Sequence, residues 1–370
     1  MTIPGLSIGD LQCAVPIVQG GMGVGISLSG LASAVAERGG IGVIASVGLA
    51  MLRGKKASRE AHTQMLAEEI QAAREQTTGV LGVNIMVALS NFSDLVETAI
   101  REKIDIIFSG AGLPLDLPRY LVDGAKTKLA PIVSSGRAAA LICRRWLRSF
   151  QYLPDAFVLE GPLAGGHLGF RPEQINAPEQ RLKQLLSGVL EAIRPYEKIA
   201  GRRIPVIAAG GVYTGRDIFE LMERGAAGVQ MGTRFVATHE CDADPAFKQA
   251  YLDAREKDVR IIQSPVGLPG RAIGNAFLDS MKRGEKSPVR CPFKCLTHCD
   301  SAKTPYCIAE ALLSAARGDL EHGFAFAGAN VPRVDRIVSV KALIDSLCAQ
   351  YRHAALAARR RVGAECPAPA

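Results

Sequence analysis

Aromatic side chains are scarce: they make up 5% of the 370 residues, with a single tryptophan. An interior with so few rings has to be built from alanine, valine, isoleucine and leucine, and the 48% hydrophobic content fits an enzyme-like core of that kind. No apolar run reaches membrane-spanning length, and the start, Met1-Thr-Ile-Pro-Gly-Leu6, lacks the basic-then-apolar pattern of a signal peptide. Both absences predict a cytoplasmic protein with no membrane partner. There is no Walker motif, and no Gly-x-Gly-x-x-Gly follows the first strand, which argues against a nucleoside triphosphate ligand. Charge is present but uneven. The formal net charge is +8, and Arg352, Arg359, Arg360 and Arg361 lie in a C-terminal stretch ending Cys366-Pro-Ala-Pro-Ala370. Such an end reads as a solvated or frayed tail, so no nucleic-acid partner is expected.

The chain does have a regular alternation. Short, apolar, β-branched runs occur at Val15–Gln19, Ile41–Ser46, Val80–Met86, Ile104–Ser109, Ala130–Ser134, Ala156–Leu159, Pro205–Ala209 and Gly228–Met231. Runs of this type suit parallel strands buried on both faces. Helix-like stretches such as Ala57–Glu75 and Leu182–Arg194 separate them. Eight strands in β-α alternation predict an α/β fold of the (β/α)8 TIM-barrel type; a doubly wound sheet would need one strand to be misread.

Glycines then mark the functional rim, because reacting groups of such barrels sit where strands run into the following loops. The first strand ends in Gln19-Gly-Gly-Met-Gly-Val-Gly25 and the sixth in Glu160-Gly-Pro-Leu-Ala-Gly-Gly-His-Leu-Gly169. The seventh ends in Ala208-Ala-Gly-Gly-Val212 and the eighth in Gln230-Met-Gly-Thr233. Glycine lets backbone approach a flat ligand, and His167 can exchange a proton near neutral pH. The bland alternative for His167 is a turn histidine bonded to backbone. Paired glycine loops after strands seven and eight predict a phosphate site, with backbone N–H groups and a helix N-terminus facing the anion. Asn84, on the third strand, could bond the polar edge of a ring lying against Gly21, Met22 and Gly23, or could be a buried amide satisfied by backbone. Together these residues suggest flavin mononucleotide (FMN), and Ser134, Glu160, Gly165, Gly166, Gly210, Gly211, Gln230, Gly232 and Thr233 complete the expected contact set.

The motifs Pro16-Ile-Val-Gln-Gly-Gly-Met-Gly23, Ala164-Gly-Gly-His-Leu-Gly169, Pro205-Val-Ile-Ala-Ala-Gly-Gly211, Gly228-Val-Gln-Met-Gly-Thr-Arg-Phe235 and Ser264-Pro-Val-Gly-Leu-Pro-Gly-Arg-Ala272, with Asn84, resemble the nitronate monooxygenase (2-nitropropane dioxygenase) family. The flavin-dependent enoyl-acyl-carrier-protein reductases share that scaffold. The resemblance covers roughly residues 1–345. It implies non-covalent FMN, with His167 as the base that removes the proton α to a nitro group. The flavin would take electrons from a small-molecule substrate and return them to O2 or to an organic or protein electron partner. It also implies a barrel at 1–240, a lid inserted at 241–320, barrel completion at 321–350 and a basic tail at 351–370; a homodimer is the assembly allowed for. Leu163 stands where the family usually carries a polar or acidic residue, and Ala327-Gly-Ala-Asn330 replaces an expected Ala-Gly-Gln.

Four of the nine cysteines, Cys291, Cys295, Cys299 and Cys307, fall close together in the expected lid. In a reducing compartment this predicts a metal centre, an iron–sulfur cluster or structural zinc, with plain thiols as the alternative and His298 as a substitute ligand. Their spacing fits neither a zinc ribbon nor the usual ferredoxin run. Four functions compete: a nitronate oxidase, a reductase fed electrons by the cysteine centre, an RNA-modifying flavoenzyme supported only by the basic end, and a redox sensor, which would have no need of the Gly-Gly-His turn.

Overall fold

A computed structural model describes residues 3–54, 58–285, 291, 294–297, 299–300 and 303–364. The eight expected strands are all present: β1 (Ile17–Gln19), β2 (Gly42–Ala45), β3 (Leu81–Met86), β4 (Ile106–Gly110), β5 (Lys128–Val133), β6 (Phe157–Glu160), β7 (Val206–Ala209) and β8 (Gly228–Met231). Each sequential pair from β2 to β8 is parallel, β8 pairs with β1, and a parallel bridge from Val18 to Ile41 joins β1 to β2. The ring closes, so the fold is a (β/α)8 barrel.

Closure follows from residue type. Val18, Ile41, Val43, Ile106, Phe108, Val158 and Ile207 fill the barrel interior, joined by Leu6, Ile8 and Cys13 of an N-terminal hairpin formed by Leu6–Ile8 and Leu11–Cys13. The alternate strand positions, among them Ile17, Ile44, Val83, Ile107 and Leu159, pack outward under the helices. Strands with both faces covered have no place for polar alternation, which is why they read as plain apolar runs. The helices carry their own start signals: Ser58 caps Arg59–Gln76 by accepting from Ala61 N–H, and Ser135 caps Gly136–Phe150 by accepting from Ala138 N–H. The helix expected to begin at Ala57 thus begins at Arg59, and Ala57 itself lies outside the described residues.

After β8 the chain forms a hairpin of β9 (Val259–Gln263) and β10 (Pro269–Ile273). Strand β10 also pairs with the two-residue strand Gly166–His167, matching Gly270 to His167 and Arg271 to Gly166. The hairpin is therefore hydrogen-bonded to the loop that follows β6. The arginine-rich end differs from the expected frayed tail. Val340–Ala364 is one helix, and Leu343, Ile344, Leu347, Tyr351 and Ala355 are buried along it. An apolar stripe at helical spacing docks it on the barrel, so the charges through Arg360 ride on a packed element rather than on a free arm.

Candidate functional site

A cavity of about 310 Å³ opens at the C-terminal ends of the strands. That size lies within the range of small-ligand sites. His167 lines it, as do Gly21, Met22, Gly23, Asn84, Glu160, Gly165, Gly166, Gly210, Gly211, Gln230, Gly232 and Thr233. Sequence reasoning therefore brought all but one of the expected cofactor residues to a single wall. Ser134 is the exception. Its hydroxyl donates to Gly169 O at 3.0 Å, tying the end of β5 to the His167 loop instead of lining the cavity.

Three glycines show why the wall is bare. A side chain at Gly21 would put its Cβ 2.3 Å from Cβ of Asn84. Gly210 and Gly211 have φ of +91° and +90°, and a Cβ on Gly210 would meet Gly161 O at 2.6 Å. The expected phosphate site is altered in one respect. The helix after β7, Gly215–Met222, is closed by its own capping box: Thr214 Oγ1 accepts from Asp217 N–H, and the Asp217 carboxylate accepts from Tyr213 and Thr214 N–H. An acidic cap fills that N-terminus, so the part of the expected anion cradle that remains is the Gly210–Gly211 turn with Gly232 and Thr233. Thr233 Oγ1 accepts from Gly328 N–H at 3.1 Å, and Asn330 Nδ2 donates to Gly211 O at 2.7 Å. Asn330 thus braces the same turn, although the family pattern anticipates a different residue near it.

His167 is held on two sides. Its Nε2 lies 2.7 Å from Ser264 Oγ, and the Phe326 ring meets the imidazole edge-on with centroids 5.0 Å apart. Burial lowers its pKa to about 4, so the imidazole is neutral at pH 7. Glu160 is moved the other way: burial raises its carboxyl to about 7. The loop between these groups is anchored by Arg271, whose Nη1 donates to Pro162 O at 2.5 Å and to Ala164 O at 2.7 Å. Arg271 is 4% exposed and desolvation alone lowers its pKa. Ser264, Arg271, Phe326 and Asn330 were not singled out by sequence reasoning. The signal for the first two was present in the Ser264–Ala272 motif, but no role could be read from it.

The cysteine cluster behaves differently from expectation. Among the described residues, no three His, Cys, Asp or Glu side chains gather into a group able to hold a metal. The iron–sulfur or zinc centre expected at Cys291, Cys295, Cys299 and Cys307 therefore has no support there; His298 and Pro292 lie outside the described residues. The loop is packed onto the barrel. Cys295 O accepts from Ser90 N–H and Ala88 O accepts from Thr297 N–H, which stitches the loop to the segment after β3. Cys295 then lines the cavity, and with Cys307 it packs against Val24, Met51, Ala309 and Leu313. Burial pushes the Cys295 thiol up to about 12, helped by the nearby Cys307, Cys291 and Cys299, and raises Cys299 and Cys307 as well.

The pattern of the nitronate monooxygenase family matches residues 7–104 and 91–350. The chain belongs to the nitronate monooxygenase family. It is 30% identical over 272 residues to the (3aS,4S,5R,7aS)-5-hydroxy-7a-methyl-1-oxo-octahydro-1H-indene-4-carboxyl-CoA dehydrogenase of Mycobacterium tuberculosis. That match takes in 74% of this chain but 66% of the relative, just under two thirds of its length. A probable nitronate monooxygenase of Staphylococcus haemolyticus is 28% identical over 311 residues, 75% of this chain and 80% of the relative. Among solved structures, FabK from Thermotoga maritima superposes with a TM-score of 0.74 at 28% identity, covering 94% of this chain and 96% of the other. No helix among the described residues is long and apolar enough to cross a membrane.

Proposed function

We propose that this member of the nitronate monooxygenase family is an FMN-dependent oxidoreductase acting on nitronates or nitroalkanes in the cavity lined by His167. One observation carries the reading: twelve expected flavin residues and the histidine converge on a single cavity. Gly21, Met22, Gly23 and Asn84 line one part of the cavity, where the two glycines leave backbone bare for a flat ring, and the Gly210–Gly211 turn with Gly232 and Thr233 offers backbone to a phosphate. FMN, when bound, supplies the two-electron chemistry that the side chains cannot. The chain's own part is to orient the substrate with His167, to keep Glu160 available as a proton carrier near pH 7, and to exclude water.

A second reading is favoured by the cavity mouth. Cys295, Leu296, Ile308, Ala309 and Leu312 make it apolar, and the Mycobacterium tuberculosis relative is named for a carboxyl-CoA substrate. On this reading the substrate is an acyl thioester whose C=C bond is reduced or formed. Anaerobic mixing separates the two. Bleaching of the bound flavin by the nitronate of 2-nitropropane supports the first reading. Reoxidation of chemically reduced protein by crotonyl-CoA, with no bleaching by the nitronate, supports the second. His167→Asn should retain FMN and lose at least about 100-fold in the active reaction, the usual scale of a proton-transfer group. Retention of full turnover by that variant overturns the assignment of His167.

A further inference from the structure

The N-terminus of the helix Gly215–Met222 already holds a negative charge, the Asp217 carboxylate, so that helix end offers a phosphate little attraction. A phosphate monoester brings about −1.5 to −2 charges at pH 7, and backbone N–H groups supply hydrogen bonds without net charge to set against them. Two arginines stand beside the same turn without lining the cavity. Arg234 follows Thr233 directly, and its Nη1 donates to Tyr213 O at 3.0 Å, which joins the loop after β8 to the loop after β7. Its Cζ lies 4.5 Å from the centroid of the Tyr213 ring, and Cζ of Arg333 lies 4.2 Å from the same centroid. The Tyr213 hydroxyl donates to Arg333 O at 2.5 Å. Arg333 ends the short helical turn Val331–Arg333, which follows the Asn330 that donates to Gly211 O. Each of the three segments around the expected cradle thus contributes one member of the stack.

Each cation–ring contact is favourable alone, but two guanidiniums held against one ring repel each other. Among the described residues neither has a carboxylate in ion-pair contact, and the neighbouring Asp335 pairs with Arg336 at 3.4 Å instead. Burial lowers the Arg234 pKa, and repulsion from Arg333 and Arg336 adds to the effect against the pull of Tyr213 and Asp335. Positive charge fixed in this way beside an anion cradle is the electrostatic complement of a dianion. We infer that Arg234 and Arg333, held in place by Tyr213, are the charge partners of the cofactor phosphate, so that the site selects a phosphorylated flavin over an unphosphorylated one. This deepens the proposed function and rests on FMN occupying the cavity. The two side chains act through their field, while the Gly210–Gly211 turn, Gly232 and Thr233 make the contacts. The half-buried Arg234 is screened less by solvent than the exposed Arg333, and its charge weighs more.

The test compares FMN with riboflavin, which has the same ring and no phosphate. Both are titrated into the full chain freed of flavin, with binding read by flavin fluorescence. Arg333→Gln should weaken FMN at least about 3-fold and Arg333→Glu at least about 10-fold, each with riboflavin affinity unchanged. Arg234→Met should weaken FMN at least about 10-fold, and Arg234→Lys, which keeps the charge, should recover most of that loss. Unchanged riboflavin binding also shows that each variant is folded. Wild type supplies an independent arm: high salt should weaken FMN and leave riboflavin as it was. Wild-type FMN affinity in Arg333→Glu, equal loss of FMN and riboflavin in the variants, or a wild type that binds both flavins equally well overturns the inference. The readout needs no substrate. Protein that keeps its preference for FMN but turns over neither 2-nitropropane nitronate nor crotonyl-CoA would overturn the proposed function and leave the phosphate assignment standing.

Discussion

Glu160 and His167 line the same cavity, and burial moves their proton affinities in opposite directions. The sign for Glu160 is set by its folded pKa of about 7 standing above the ordinary value of 4.5. Whatever stability the neutral carboxyl brings is fully present below pH 4.5 and is lost as pH rises through 7. Glu160→Gln keeps the shape without the charge. The variant should melt about 4 °C above wild type at pH 8, the scale of about 3 kcal/mol in a chain of 370 residues, and together with it at pH 4.5. Thermal melts of FMN-bound protein at the two pH values check this; equal melting temperatures at pH 8 would mean that Glu160 is ionised at little cost. At the same scale, sequence reasoning named His167 and the glycines because their types are unusual after strands. It misplaced Ser134 because a serine at a strand end can turn toward the cavity or toward the neighbouring loop, and only the position of Gly169 O decided between them.

The β9–β10 hairpin is the element that makes the His167 loop a site. It supplies Ser264 to the imidazole, pairs Gly270 with His167, and sends Arg271 under the loop to Pro162 and Ala164. Among the described residues Arg271 binds these carbonyls without a carboxylate partner, so carbonyl dipoles face its charge there. Arg271→Met keeps an apolar stem and removes both hydrogen bonds. Each bond to a charged donor contributes about 1.5–3 kcal/mol, offset in part by relief of the buried charge. The expected result is a melting temperature several degrees lower and an FMN affinity weakened at least about 10-fold, measured by fluorescence titration. Wild-type affinity and melting would show that the strand pairing alone holds the loop. The cysteine-bearing segment shows the opposite case, in which closeness in sequence does not settle what the residues do. Cysteines close in sequence become a ligand set only if the backbone turns them toward one point. Here Ser90 and Ala88 hold the segment to the barrel, and Cys295 is directed to the cavity.

Across the whole molecule, the barrel depends on its last helix. Gly215 lies so close to that helix that a Cβ there would stand 2.0 Å from Leu347 O, and Leu343, Ile344, Leu347 and Tyr351 are buried beneath it. Full burial of one such side chain contributes about 1.5–3 kcal/mol, so their loss together approaches the 5–15 kcal/mol by which a domain is typically stable. A chain truncated after Ser339 should therefore lose its cooperative melt by circular dichroism. A melt at the wild-type temperature would show the helix to be dispensable. The apolar stripe that docks it was present in the sequence, but the arginines beside it drew the reading toward a tail. What the sequence determined by itself was the barrel and the wall of its cavity, because strands buried on both faces must be uniformly apolar and the rim must be glycine-rich where backbone comes close. What only the tertiary structure decided was the environment of His167. Ser264, Arg271 and Phe326 reach the His167 loop across long stretches of chain, and local residue pattern carries no record of which distant side chains a hairpin will bring to a loop.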